Sequence, residues 1–301
     1  MKSSFLFQFG ALVLSASHVQ ADLSDLFNVT TFPNEQKENV TEWLAEARTL
    51  AGPDLSAHYG HRCILGQVYP VLSNAAQTPG FIQPREVFDR FYFVGQSAVS
   101  AWAYDTGDGL VVFDALDNAE ETEKILVPGL EALGFSGSDI KHLIITHEHF
   151  DHYGGARYLQ DTYSPSPAWN TLSKLDDGPV EDKVIAEGDE LTFGNLYDNG
   201  VEHTAGLYGG GGIPSTATDK ENQINSFNRF ADLATEAGVD TLVANHQTQD
   251  RSLYSFDLLD HRPAGGEHPF VIGTDAYDRY LRVMAQCVRV KAARDGQNLH
   301  I

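Results

Sequence analysis

The run Thr146-His147-Glu148-His149-Phe150-Asp151-His152 places three imidazoles and the Asp151 carboxylate within six residues. His147 and His149 are two positions apart, so on an extended segment they point the same way. Asp151 and His152 follow at once, and Gly154 and Gly155 then let the chain turn sharply into a helix. Four N and O donors therefore converge on one pocket. Imidazole and carboxylate donors in such a set suit zinc, and also iron or manganese. The bland alternative is a polar loop holding unrelated histidines. Such a loop gives no reason for so many titratable rings on one turn.

Positioning these groups requires a rigid support, and the flanking pattern supplies one. Leu143-Ile144-Ile145 is short and wholly apolar, as expected of a strand buried on both faces, and the histidines come directly after it. Upstream, Val87 to Val94, Ala98 to Tyr104 and Leu110 to Phe113 read as strands. The turn Thr106-Gly107-Asp108-Gly109 joins the last two as a hairpin. A helix is expected from about Glu120 to Leu133, ending near Gly134. The order hairpin, strand, helix, strand is that of an α/β layout, which gathers ligands at the carboxyl ends of buried strands.

Elsewhere, Val40, Trp43, Leu44, Ala47 and Leu50 have helical spacing after Asn34, with Gly52 as a stop. His58 to Pro84 shows no clear period and reads as an irregular lead-in. Val184 to Phe193 reads as a second hairpin around Gly188-Asp189. Asn225 to Ala237 reads as a helix, Thr241-Leu242-Val243 as a strand and Tyr277 to Ala292 as a closing helix.

The segment from Thr146 to Gly155 resembles the His-x-His-x-Asp-His signature of the metallo-β-lactamase superfamily, and it sits after a buried strand, as in that family. The resemblance extends from about Phe91 to the C-terminus. It implies a four-layer αββα sandwich with the site along one edge between the two sheets. Asp114, at the end of Val111-Val112-Phe113, matches the family's supporting aspartate, although a strand-end turn former is the other reading. His246, after Val243-Ala244-Asn245, matches the distant ligand of the second metal; the competing reading is a capped turn residue. Histidine there is similar to the secreted, histidine-rich branch of these lactamases. By this resemblance His147 and His149 hold a first zinc, and Asp151, His152 and His246 a second.

One landmark departs from the pattern. The family's third ligand for the first zinc stands in a Gly-His-Thr-Pro-Gly turn, and no such turn exists here. Glu202-His203-Thr204-Ala205-Gly206 keeps a His-Thr-x-Gly skeleton, but polar Tyr197-Asp198-Asn199-Gly200 precedes it where an apolar strand should deliver the ligand. The alternative aligns Asp198, Gly200, His203 and Leu207-Tyr208-Gly209-Gly210 with a later stretch of the secreted relatives. On that alignment the chain jumps at Gly194-Asn195-Leu196, and the second sheet is short of at least two strands, roughly 20 residues.

Composition bounds the rest. With 301 residues, 42% hydrophobic, the chain can bury a full core. A net charge of −22 leaves no basic stripe for phosphates, which argues against a nucleic-acid partner. Residues 1–21 read as a secretory signal, with Lys2, an apolar stretch from Phe5 to Ser15 and small residues up to Ala21. The organisation expected is thus a signal at 1–21, an N-terminal helix and lead-in at 22–85, and the lactamase-like domain at 86–301. Removal of the signal leaves no membrane segment. Asn28-Val29-Thr30 and Asn39-Val40-Thr41 are glycosylation sequons. Cys63 and Cys287 can pair in an oxidising compartment or remain as buried thiols.

The chemistry expected is attack of a metal-activated water on the carbonyl of a small-molecule lactam, lactone or ester, with one or two zinc ions and Asp151 as the catalytic carboxylate. Two other readings stand beside it. One is a catalytically impaired, secreted metal-binding protein of the same fold. The other is a glyoxalase-II-like thioesterase.

Overall fold

The computed structural model describes residues 30–169, 178–180, 183–184, 186, 188–209 and 212–301. The signal read at 1–21 and the sequon at Asn28 lie outside the described residues, as do Gly210 and Gly211.

Strands β1 (Arg85–Phe88), β2 (Phe91–Phe93), β3 (Trp102–Asp105), β4 (Leu110–Phe113), β5 (Ile140–Ile144), β6 (Ser166–Trp169) and β7 (Lys183–Val184) form one sheet in sequence order. Its first four strands are antiparallel, and β4 through β7 are parallel. A hairpin of β8 (Leu196–Asp198) and β9 (Val201–His203) meets the first sheet through a bridge between Asp89 and Tyr197, and β10 (Ala205–Tyr208) pairs in parallel with β11 (Thr241–Ala244). Among the described residues the second sheet thus has two strands.

The layers follow from the two-residue alternation of the strands. Ala103, Leu110 and Val112 face a core shared with the helical stretch 119–132 and α3 (Ala156–Tyr163). On the opposite face Trp102 packs with Val243, with Phe256 of α6 (Ser252–Asp260) and with Phe270, filling the space between the sheets. Leu242 and Ala244 then look the other way, into a core with α1 (Lys37–Ala51), α4 (Ala217–Glu236) and α7 (Thr274–Arg294). Helix, sheet, sheet, helix is the αββα sandwich expected. Buried Trp102 ties the sheets together, its Nε1 donating to the Ala244 carbonyl at 3.0 Å.

Four elements differ from the expectation. The stretch read as an irregular lead-in is helical over Ser56–Tyr59, Gly60–Leu65, Gly66–Val68 and Pro70–Ala75. Each piece is short and Gly60–Leu65 is a π turn, which shifts the phase and erases a 3.6-residue period. The single strand read at 87–94 is a hairpin, because Arg90 takes φ 66° with its N–H on Glu86 Oε1. The hairpin read around Gly188 is not formed among the described residues. The turn exists, with Asp189 N–H on the Ala186 carbonyl, but β7 pairs with β6 and residues 191–195 run as coil. Finally, α4 begins eight residues earlier than read, capped by Thr216 on the Asp219 N–H.

The lead-in is fastened to α7. Cys63 and Cys287 form a disulfide. Beside it Gln67 donates to the Cys287 carbonyl and accepts from buried Arg294, which also reaches the Cys63 carbonyl. No described helix is long and apolar enough to cross a membrane.

Candidate metal centre

Asp114 directly follows strand β4 at φ 63°, a conformation that aspartate tolerates better than most side chains. Its carboxylate is 1% exposed and accepts three bonds. Oδ1 takes the Thr146 N–H at 2.8 Å; Oδ2 takes Thr146 Oγ1 and His152 Nδ1, each at 2.8 Å. The start of the histidine run and its last imidazole are thus held by one side chain.

After β5 the run bends at His147-Glu148 rather than staying extended throughout as the spacing of His147 and His149 predicts; an extended His149 then leads into α2 (Phe150–Tyr153). The turn into α2 and α3 is tight. A Cβ at Gly154 would stand 1.9 Å from the Asp117 carbonyl oxygen, and one at Gly155 1.6 Å from Thr122 Oγ1. Only glycine permits this approach, and the approach sets Asp151 and His152 beside the other donors.

His246 follows β11 and caps α5 (Gln247–Asp250). Its Nδ1 donates to the Ala98 carbonyl at 2.9 Å, in the loop before β3, so Nε2 is aimed at the cluster. Buried Asp250 accepts the N–H groups of Ala244 and Ser252 and pins this turn, and burial pushes its carboxyl up to about 7.

The three donors meet closely. His152 Nε2 lies 3.2 Å from His246 Nε2 and 3.3 Å from Asp151 Oδ2, and His246 Nε2 lies 3.5 Å from the same oxygen. Zinc ligands at about 2.0–2.1 Å in a tetrahedron are about 3.3 Å apart, so these edges fit that ion. His147 and His149 lie alongside, the His147 ring centroid 4.1 Å from that of His152 and 4.7 Å from that of His149. His147 Nε2 is buried with no hydrogen-bond partner, as a nitrogen reserved for a metal would be.

The electrostatics describe the metal-free cluster. Burial opposes charge on His152, yet Asp114 and Asp151 outweigh it and lift the imidazole to about 9. One proton on His152 then sits among the three donors. Burial pushes His147 down to about 4, and the charge of His152 adds to this. His246 is lowered for the same two reasons. Burial raises Asp151, but the bond and charge of His152 hold it at about 2, so the carboxylate stays ionised.

His203 is not brought to this cluster. It ends β9, with Nδ1 2.7 Å from Asp240 Oδ2 and its ring against Phe88. Among the described residues no third donor of this kind groups with His147 and His149. Sequence reasoning missed the Ala98 carbonyl, Thr146 and Asn245, whose amide donates to Thr146 Oγ1. A carbonyl carries no sequence signal, and Asn245 was visible only as the neighbour of His246.

Residues 94–187 match the model of the Metallo-beta-lactamase superfamily. No curated protein matches the chain in sequence. Among solved structures, the native FEZ-1 metallo-beta-lactamase from Legionella gormanii is 18% identical, covers 73% of this chain and 99% of its own, and superposes with a TM-score of 0.59. The fold is the metallo-β-lactamase fold. BJP-1, a subclass B3 metallo-beta-lactamase of Bradyrhizobium japonicum, is 17% identical over 69% of this chain and 92% of its own, with a TM-score of 0.54. Within the metallo-β-lactamase fold the matched segment carries His147, His149, Asp151 and His152, while His246 lies beyond it.

Proposed function

We propose that this chain is a zinc-dependent hydrolase that opens a lactam, lactone or ester carbonyl of a small molecule. The observation that supports it is the convergence of Asp151, His152 and His246 at tetrahedral spacing. These three residues would hold one ion, and His147 and His149 would contribute to a second. Zinc in such a site polarises a carbonyl and lowers the pKa of water.

The protein's own groups do the rest. Asp151 stays ionised and orients the attacking water by accepting its hydrogen bond, which an imidazole that has to donate does not do. Asp114 and the Ala98 carbonyl hold the Nδ1 protons of His152 and His246, so both rings turn Nε2 inward without rearrangement. The disulfide suits an oxidising compartment and so supports export by residues 1–21.

A second reading rests on the place of His203. With Asp240 as its partner it leaves the pair His147 and His149 short of a donor, which favours a metal-binding protein of low turnover.

Zinc-loaded full chain is expected to bind at least one equivalent of zinc and to open a lactam, lactone, ester or thioester. His246→Ala is expected to lower both metal content and rate, and His203→Ala to leave metal content unchanged. Less than one equivalent of zinc together with no turnover on any of the four classes would refute the hydrolase reading. Turnover confined to thioesters would move the assignment to a thioesterase.

A further inference from the structure

Of the two sequons, Asn39-Val40-Thr41 lies within the described residues, at the start of α1. Asn39 and Thr41 are exposed, whereas Val40 between them is buried. Asn39 Nδ2 donates to Gln36 Oε1 at 2.7 Å, and Gln36 Nε2 donates in turn to Asn298 Oδ1 at 3.0 Å. One of the two Nδ2 hydrogens thus fixes the plane of the amide, and the second is the one a sugar replaces.

Beside Asn39, α1, α7 and the C-terminal tail enclose a groove of about 130 Å³. Trp43 stands in it, one turn after Asn39 and so on the same face of α1, together with Arg289 and Asn298. The Arg289 guanidinium lies 5.3 Å from the centroid of the Trp43 ring. An indole offers an apolar wall to the C–H groups of a pyranose, while the amide and guanidinium match the acetamide and hydroxyls of an N-acetylated sugar. No residue lines both this groove and the cavity onto which His149, Asp151 and His246 open.

The order of synthesis keeps the sequon accessible. α1 buries its apolar face in a core with α7, the last helix, and the lead-in behind it is bonded to α7 through Cys63 and Cys287. Cys287 follows Cys63 by 224 residues, so neither contact forms until the chain is nearly complete.

We propose that Asn39 carries an N-linked glycan whose first N-acetylglucosamine lies in the groove against Trp43. In the transfer, Asn39 Nδ2 bonds to C1 of the sugar of a lipid-linked oligosaccharide. The C1–O bond to the lipid diphosphate breaks, the diphosphate leaves, and Nδ2 loses one proton. This rests on export of the chain and not on the hydrolase reading.

The test uses the full chain secreted by a eukaryotic host that makes high-mannose glycans, read by peptide mass spectrometry. The peptide holding Asn39 is expected to be glycosylated in most copies, and Asn39→Gln and Thr41→Val to abolish this. Endoglycosidase H leaves a single sugar on Asn39. Wild type trimmed in this way is expected to melt about 2 °C above both variants treated alike, and Trp43→Ala to remove most of that difference. An unmodified Asn39 in the secreted wild type overturns the proposal. Equal midpoints of the trimmed wild type and both variants, or a difference undiminished by Trp43→Ala, overturn the placement of the sugar in the groove.

Discussion

Asp114 is buried, and three donors depend on its carboxylate: the Thr146 N–H, the Thr146 hydroxyl and His152 Nδ1. A carboxylate can accept all three, whereas an asparagine side chain turns an NH₂ toward one of them. Asparagine also tolerates the φ of 63° at this position, so Asp114→Asn tests side-chain chemistry with the backbone unchanged. Zinc affinity is expected to fall about 10- to 100-fold, measured by competition with a chromophoric chelator. An unchanged affinity would show that His152 needs no partner to present Nε2. The role of Asp114 was legible from its place at a strand end. Which ring it holds was not, because His152 lies 38 residues further along the chain.

Among the elements, the turn from β5 into α2 and α3 decides whether the donors meet. Gly154 packs against the Asp117 carbonyl with no room for a methyl group, and carbonyl oxygens do not yield as flexible side-chain ends do. Gly154→Ala must therefore displace α2, which carries Asp151 and His152. A stability loss of about 2–4 kcal/mol in denaturant unfolding is expected, with weaker zinc binding alongside. Stability within about 0.5 kcal/mol of wild type would mean that the close approach is not needed. The two glycines were visible as punctuation after the motif. The lead-in was not legible, since its helical pieces are too short, and one too irregular, for periodicity to register.

At the scale of the whole molecule, the disulfide joins the lead-in to the closing helix across 224 residues of chain. Closing so long a loop restricts the unfolded ensemble far more than it changes the folded one. Cys287→Ser is expected to cost about 2–5 kcal/mol, seen as a lower thermal midpoint than the oxidised wild type. The wild type under reductant should fall toward the same midpoint. Coincident midpoints in all three cases would mean that the Gln67 and Arg294 bonds carry the junction unaided.

The sequence by itself determined the donor set, the strand ahead of it and the alternation that stacks the sheets, although that strand is not buried on both faces, since Lys141 and His142 are exposed. These are local facts: a ligand must be a particular side chain, and the strand positions that face a core must be apolar. It also contained both halves of the disulfide and His246. Only the tertiary structure decided that the cysteines pair, that the Ala98 carbonyl orients His246, and that His203 turns to Asp240. Each of those outcomes depends on contacts between distant segments. Hydrogen-bond partners of that kind are set by how the layers pack, and a side chain's type alone does not reveal them.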